Sequence, residues 1–403
     1  MLASCSDNRA HAAQVSGPSK QQLPCLTALR GLAALWVVIY HYSVQCFPNL
    51  DVRPHTYLIH KGYLAVDMFF MLSGFVLAHV YHRPFSESVT GRNYWKFIAA
   101  RIARIYPLHL LVLLLFVATA LTSHLMSGEA SHVVRDVPLQ GPQSVEAFFA
   151  NLLMLQGLRA STLSWNYPAW SISVEFMAYL LFPFLLPGIW RTSTRIKLVL
   201  AGLLFALLVL LAYLRQGDFD QWDGPITLLR CLPEFMLGTL LYCAFRVAPG
   251  NLWLNRDVAA FGVVALIVVG LHLNAADLLM ILLFAALILA AVLNNGAFAR
   301  WANAAPLLWL GDISYSLYLL HGLVQYAAGL LLVRVGVHDA TYLSTPRSLV
   351  WMLAMVGLCL LAAHFSYSGF EVASRRYLRK LLDMRDKRRA AASIRSGTLH
   401  VQP

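Results

Sequence analysis

Charge is scarce in this sequence. Asp, Glu, Lys and Arg make up 12% of its 403 residues, against 59% hydrophobic ones. A soluble domain carries about twice that charged fraction, which excludes an ordinary soluble enzyme and points to an integral membrane protein. The short alternating segments of a β-barrel are also missing, because the apolar runs are too long and too numerous for them. The expected fold class is therefore all-α, a polytopic membrane bundle of about ten transmembrane helices. The six cysteines, at 5, 25, 46, 231, 243 and 359, follow neither metal-ligand nor disulfide spacing and read as small packing residues. A nucleotide-binding glycine loop, a zinc-binding histidine pair and a nucleophile elbow are all lacking, so no metal is expected and several enzyme classes drop out. No small-residue cleavage site follows the first apolar run, which reads as an uncleaved first span.

What charge there is leans one way, to a formal +12. Its placement argues against nucleic acid. Arg375, Arg376, Arg379, Lys380, Arg385, Lys387, Arg388, Arg389 and Arg395 crowd beside the last apolar run without interleaved stacking aromatics. That is the positive-inside pattern, with attraction to anionic lipid of the bilayer.

Apolar runs place spans at 27–45, 62–82, 97–122, 169–188, 198–214, 227–246, 258–273, 277–294, 306–334 and 347–370. The run 147–157 is too short to cross by itself. Leaving it uncrossed puts Arg191, Arg195 and Lys197 inside, Asp218, Asp220 and Asp223 outside and the basic tail inside. The organisation expected is a polar cytoplasmic segment (1–25), one membrane domain (26–372) with a short non-crossing outer-face piece, and a loosely ordered basic cytoplasmic tail (373–403).

Ionisable groups inside spans cost roughly 2.5 kcal/mol or more and persist mainly where they face protein and have a task. Arg30 and His41 lie eleven residues apart in the first span, about 16 Å along a helix and close to three whole turns, so both project from one face. The plain alternative is a snorkelling anchor and an interfacial histidine. Glu175, about one and a half turns into the 169–188 span, matches the depth of His41 and is expected to orient its imidazole, as a carboxylate does in making histidine a proton acceptor. Trp170, Ser171 and Ser173 flank it. Toward the opposite face, Arg101 and Arg104 are neighbours on one side of a helix, with Lys96 nearby. Such a pair can clamp a phosphate or can simply anchor. Arg230 and Glu234 read as an i,i+4 internal ion pair, while Asp67 with Ser73, and His321 beyond the Ser-Tyr-Ser run, complete the buried polar set.

Four of these segments, in order, resemble the acyltransferase-3 family of bacterial integral-membrane acyltransferases. Leu26-Thr27-Ala28-Leu29-Arg30-Gly31 followed by His41 is similar to the family's Arg/Lys-x10-His signature. Gly62 to Phe75, with Asp67 and Ser73-Gly74, resembles its second-span motif. Arg101-Ile102-Ala103-Arg104 resembles its Arg-x-x-Arg motif, and Trp170-Ser171-Ile172-Ser173-Val174-Glu175 its Trp-Ser-Leu-x-x-Glu pattern. The chain departs from the family at His321-Gly322-Leu323, where His-x-Pro is common, and at Glu371-Val372-Ala373, where Glu-x-Pro is.

The resemblance implies an O-acyltransferase of the bacterial cytoplasmic membrane. It would move an acyl group, most simply acetyl, from acyl-CoA as co-substrate to a hydroxyl of a cell-surface glycan or glycoside, with no bound cofactor. In that reading His41 and Glu175 are catalytic and Arg30, Arg101, Arg104 and Lys96 hold the donor. Asp67, Ser73, Trp170, Ser171, Ser173, Arg230, Glu234 and His321 support them. Buried charges of this kind also serve a transporter or flippase of a glycan or lipid intermediate, although no inverted repeat is visible.

Overall fold

The computed structural model describes residues 23–85, 88–127, 140–159, 164–217, 219–220, 223–248, 253–337 and 343–398. Residues 1–22 with Cys5, half of the 123–146 connection (128–139), Asp218 and the last five residues lie outside the described residues. The described chain is helical: α1 (Pro24–His41), α2 (Ala65–Phe85), α3 (Gly91–Ser127), α4 (Val145–Leu152), α5 (Trp170–Arg191), α6 (Thr194–Leu214), α7 (Ile226–Val247), α8 (Asp257–His272), α9 (Asp277–Leu293), α10 (Ala297–Ala302), α11 (Ala305–Asp312), α12 (Ser314–Arg334), α13 (Thr345–Ser366) and α14 (Val372–Thr398).

Eight of these stretches are long and apolar enough to cross a membrane, and α8 and α9 are apolar but shorter, at 16 and 17 residues. At about 1.5 Å per residue those two reach roughly 24–26 Å, just short of a 30 Å hydrocarbon layer. The protein is a multi-pass membrane protein, and its outer helices have the surface one needs. On α6, Leu198, Val199, Leu203 and Leu214 are exposed, an apolar face that water would not tolerate and lipid does. The helix α4 has eight residues, far too few to cross, as the reading of 147–157 requires.

The first span is the centre of the bundle. α1 packs against α2, α9, α10, α11 and α12, and Ala28, Ala33, Ala34, Val37 and Val38 around its circumference are buried. A helix apolar on all sides belongs inside other helices. Small residues let backbones meet where side chains would hold them apart. A methyl group on Gly31 would collide with the Leu310–Gly311 backbone of α11, one on Gly74 with the Phe235 carbonyl of α7, and one on Gly238 with the Met71 carbonyl of α2.

Two expectations need correction. The run 306–334 is not one span: α11 ends at Asp312, Ile313 leaves the helix at ψ −2°, and Ser314 Oγ donates to the Gly311 carbonyl at 2.7 Å as α12 begins. Hydropathy is blind to this break because Ile313 is itself apolar. The start of the basic tail is not loose. A π-helical turn, Tyr367–Glu371, carries α13 into α14 without interruption, and α14 packs against α3. Its Arg, Lys, Leu and Ala residues are good helix formers, and a docked face holds the helix where charge alone would favour a loose chain.

Candidate active site

Arginine side chains from two helices open onto one space inside the bundle. A cavity of about 120 Å³ lies between α1, α2, α3, α5 and α12, and Arg30, Arg101, Arg104, Ser73, Ser171 and Glu175 line it together with Tyr179, Tyr315 and Tyr318. One water needs roughly 10–15 Å³ of such space, so there is room for on the order of ten waters or a slender chain, and none for a nucleotide.

Arg101 donates through Nη2 to the Tyr81 hydroxyl at 3.3 Å, and its guanidinium stands 5.4 Å from the Tyr81 ring and 5.8 Å from the Phe97 ring. These rings fix the guanidinium by cation–π attraction while leaving donors unused. Among the described residues Arg30 reaches Thr27 Oγ1 alone, at 3.5 Å. The Nε groups of both Arg30 and Arg101 are buried without an acceptor among the described residues. Each such orphan costs about 1–3 kcal/mol unless a guest supplies oxygen.

Midway along the wall, Tyr179 donates to Glu175 Oε1 at 2.7 Å and its oxygen lies 3.2 Å from Ser73 Oγ. The pairing is a helical i,i+4 contact along α5. Among the described residues Glu175 and His41 share no hydrogen bond, so the expected Glu175–His41 pair is not what the fold builds. Tyr179, one turn along the same helix, takes the carboxylate instead.

The partner of His41 is His321 of α12. Their rings stack at 5.0 Å, with His321 Nε2 3.1 Å from His41 Nδ1, and His321 Nδ1 lies 2.6 Å from the Tyr318 carbonyl. The carbonyl can only accept, so His321 Nδ1 carries a hydrogen, Nε2 of the neutral ring accepts, and His41 Nδ1 donates. His41 Nε2 keeps its lone pair. Tyr42 donates to the His321 carbonyl at 3.1 Å and steadies that residue. The chain then leads back to the cavity, since Tyr318 donates to the Pro168 carbonyl at 3.0 Å and shares a 2.7 Å hydrogen bond with Ser171 Oγ. His41 closes α1, and the next five residues, Tyr42–Cys46, widen into a π-helix, a distortion that collects at functional sites.

The remaining predicted residues stand elsewhere. Lys96 is exposed on α3 and is not on the cavity wall. Ser173 donates to the Met154 carbonyl at 2.7 Å and accepts from Gly157 N at 3.2 Å, which ties α5 to the chain after α4. Arg230 is not chiefly the partner of Glu234, which lies 4.0 Å away; its fork closes on Asp67, at 2.8 and 2.7 Å, and Nη1 reaches the Phe219 carbonyl at 2.6 Å. Trp170 and Phe219 flank the guanidinium at 5.9 and 5.2 Å. Bidentate geometry across the α2–α7 contact outweighs the i,i+4 neighbour because a carboxylate there meets two N–H groups in line. Tyr179, Tyr315 and Tyr318 were not singled out from sequence. The i+4 step from Glu175 and the i−3 step from His321 are the signals that would have found the first and third.

A second recess, of about 90 Å³, follows the end of α1 and is lined by Ser43, Asp51, Arg53 and His60 among others. There the Arg53 guanidinium holds the Asp51 carboxyl below its ordinary range.

Comparison with known proteins finds acyltransferases. Over 387 residues the chain is 28% identical to the acyltransferase MdmB of Streptomyces mycarofaciens, covering 88% of this chain and 92% of that protein. Over 340 residues it is 24% identical to the O-acetyltransferase OatA of Staphylococcus aureus, covering 75% of this chain but only 50% of that one. A shorter match, 42% over 93 residues, is to protein 2 in the picA locus of Rhizobium radiobacter, covering 23% of this chain and 43% of that protein. No solved structure matches. The family model described as an acyltransferase domain aligns with residues 23–367, which takes in the cavity and both histidines, and the chain belongs to the acyltransferase-3 family.

Proposed function

We propose that this membrane acyltransferase moves an acyl group, most simply acetyl, from acyl-CoA to a hydroxyl of a cell-surface glycan or related glycoside. The carrying observation is the polarity of one cavity. Guanidiniums with unused donors occupy one end, and a hydrogen-bonded histidine pair stands behind the Tyr318–Ser171 end. A CoA donor has the matching polarity, phosphates at one end and a thioester at the other, joined by a slender arm. The nucleotide stays at the arginine mouth, and the arm occupies the cavity.

In this reading His41 Nε2 takes the proton of the acceptor hydroxyl as its oxygen attacks the thioester carbonyl. The tetrahedral intermediate then expels CoA thiolate, which receives the proton, giving ester and CoA-SH. His321 is the positioning residue that fixes the His41 tautomer. The basic ends of the spans support a reading in which the arginine mouth and both termini lie on the cytoplasmic side of a bacterial inner membrane, where acyl-CoA is made.

The test is transfer from radiolabelled acetyl-CoA in membranes that hold matched amounts of wild type or His41→Ala beside the native glycan. Label entering an alkali-labile glycan fraction with wild type, reduced by about 10²–10⁴-fold in the variant, is expected for loss of a general base. Near-normal transfer by His41→Ala would overturn the assignment.

A further inference from the structure

The arginine mouth does not end at the cavity wall. α14 leaves the π-helical turn and packs along α3, the helix of Arg101 and Arg104, and in its own first turns it carries Arg375 and Arg379. These two are four residues apart and share one face of α14. Arg379 lies within electrostatic reach of Arg375, Arg101 and Arg104. The joint is pinned by Glu371, which is 4% exposed, accepts from Ser316 Oγ at 2.8 Å and lies within reach of Arg104, Arg375 and Arg30. Asp312 and Glu175 are the other carboxylates within reach of Arg30. Five guanidiniums thus converge around three carboxylates, in a chain where charge is rare.

A basic anchor has no need of such convergence, since its charges bind lipid best when spread along the membrane surface. Gathering them on one spot costs repulsion unless an anion fills the gap. Arg30, Arg101 and Arg104 line the cavity, whereas Arg375 and Arg379 lie one step outside it. That order matches the donor proposed above, whose pyrophosphate follows the pantetheine arm and whose ribose 3′-phosphate lies beyond.

We infer that the first two turns of α14 complete the donor site, with Arg375 and Arg379 binding the 3′-phosphate of CoA. The inference rests on the acyl-CoA reading. A phosphate monoester carries roughly −1.5 to −2 charge and three acceptor oxygens, a good match for two guanidiniums on one helix face. Arg376 and Lys380, about 100° further round α14, present a different face and take no part.

The experiment measures equilibrium binding of CoA and of 3′-dephospho-CoA to the full-length protein in neutral-lipid nanodiscs. Wild type is expected to prefer CoA by about tenfold or more. Arg375→Gln/Arg379→Gln should erase that preference by weakening CoA alone, while dephospho-CoA binds as before. Arg376→Gln/Lys380→Gln removes the same formal charge and should leave the preference intact. An unchanged dephospho-CoA affinity in the first variant also shows that the site is still folded. If wild type prefers CoA and the first variant keeps the preference, the inference falls and the acyl-CoA reading stands. Wild type that binds neither ligand overturns both. If the first variant changes only retention on phosphatidylglycerol vesicles, the arginines serve lipid headgroups and the inference falls.

Discussion

Two arginine sites inside this bundle differ in what surrounds them. Arg230, at 2% exposure, has an acceptor for each of its three nitrogens: two bonds to Asp67 and one to a backbone carbonyl, with two aromatic rings beside the guanidinium. Arg30 and Arg101 face a cavity with donors to spare. All three are guanidiniums at membrane depth, and residue type alone does not separate them. Satisfaction does. A buried charge whose every nitrogen has an acceptor belongs to the architecture, whereas one with an orphaned nitrogen beside a void is held ready for something else.

The comparison breaks first, and hardest, at Arg230. Arg230→Gln strands Asp67 in the α2–α7 contact, a defect worth about 3–5 kcal/mol for a buried pair. Little folded protein is expected to survive detergent extraction and size-exclusion chromatography. Arg101→Gln should extract and elute as wild type yet bind acyl-CoA about ten- to a hundredfold more weakly. That is the size expected for losing a hydrogen bond to a charged group, about 1.5–3 kcal/mol, read from the donor KM. If Arg101→Gln instead unfolds the protein, the distinction between the two sites fails. The smallest effect is expected at Tyr179→Phe, which removes one donor from the Glu175 carboxylate and should cost about 1.5 kcal/mol, a change of about tenfold in kcat/KM with unchanged yield. A full loss of activity there would give the Glu175–Tyr179 pair a larger role than that of a cavity wall.

Sequence reasoning reached the helices and the cavity more readily than the pairings. Long apolar runs mark their spans whatever they touch, and Arg30, Arg101, Arg104 and Glu175 announce themselves as charges where charge is costly. The choice of partner is another matter. Local spacing favoured Glu234 for Arg230, yet the carboxylate that closes the fork is 163 residues away. Equal depth favoured Glu175 for His41, yet the ring that meets it is 280 residues away on α12. Depth gives one coordinate along the membrane normal, whereas a pair also needs two helices to face each other. That facing is set by the glycine contacts of α1 with α11 and of α2 with α7, which no periodicity reveals. The break at Ile313 and the docking of α14 escaped for a related reason, since both depend on contacts across the bundle rather than on composition.

The glycine contact between α2 and α7 has a mechanical corollary. Gly74 and Gly238 bring the two backbones into direct touch, and the Arg230–Asp67 fork locks the same pair near its other end. Together they make a stiff strut with no side-chain cushion to compress. α12 is built differently, beginning at a helix break and joined to α11 through a single non-helical residue. The compliance of the cavity is therefore one-sided: α2 serves as the fixed jaw, and any widening that admits an acyl group falls to the wall that carries Tyr318 and His321.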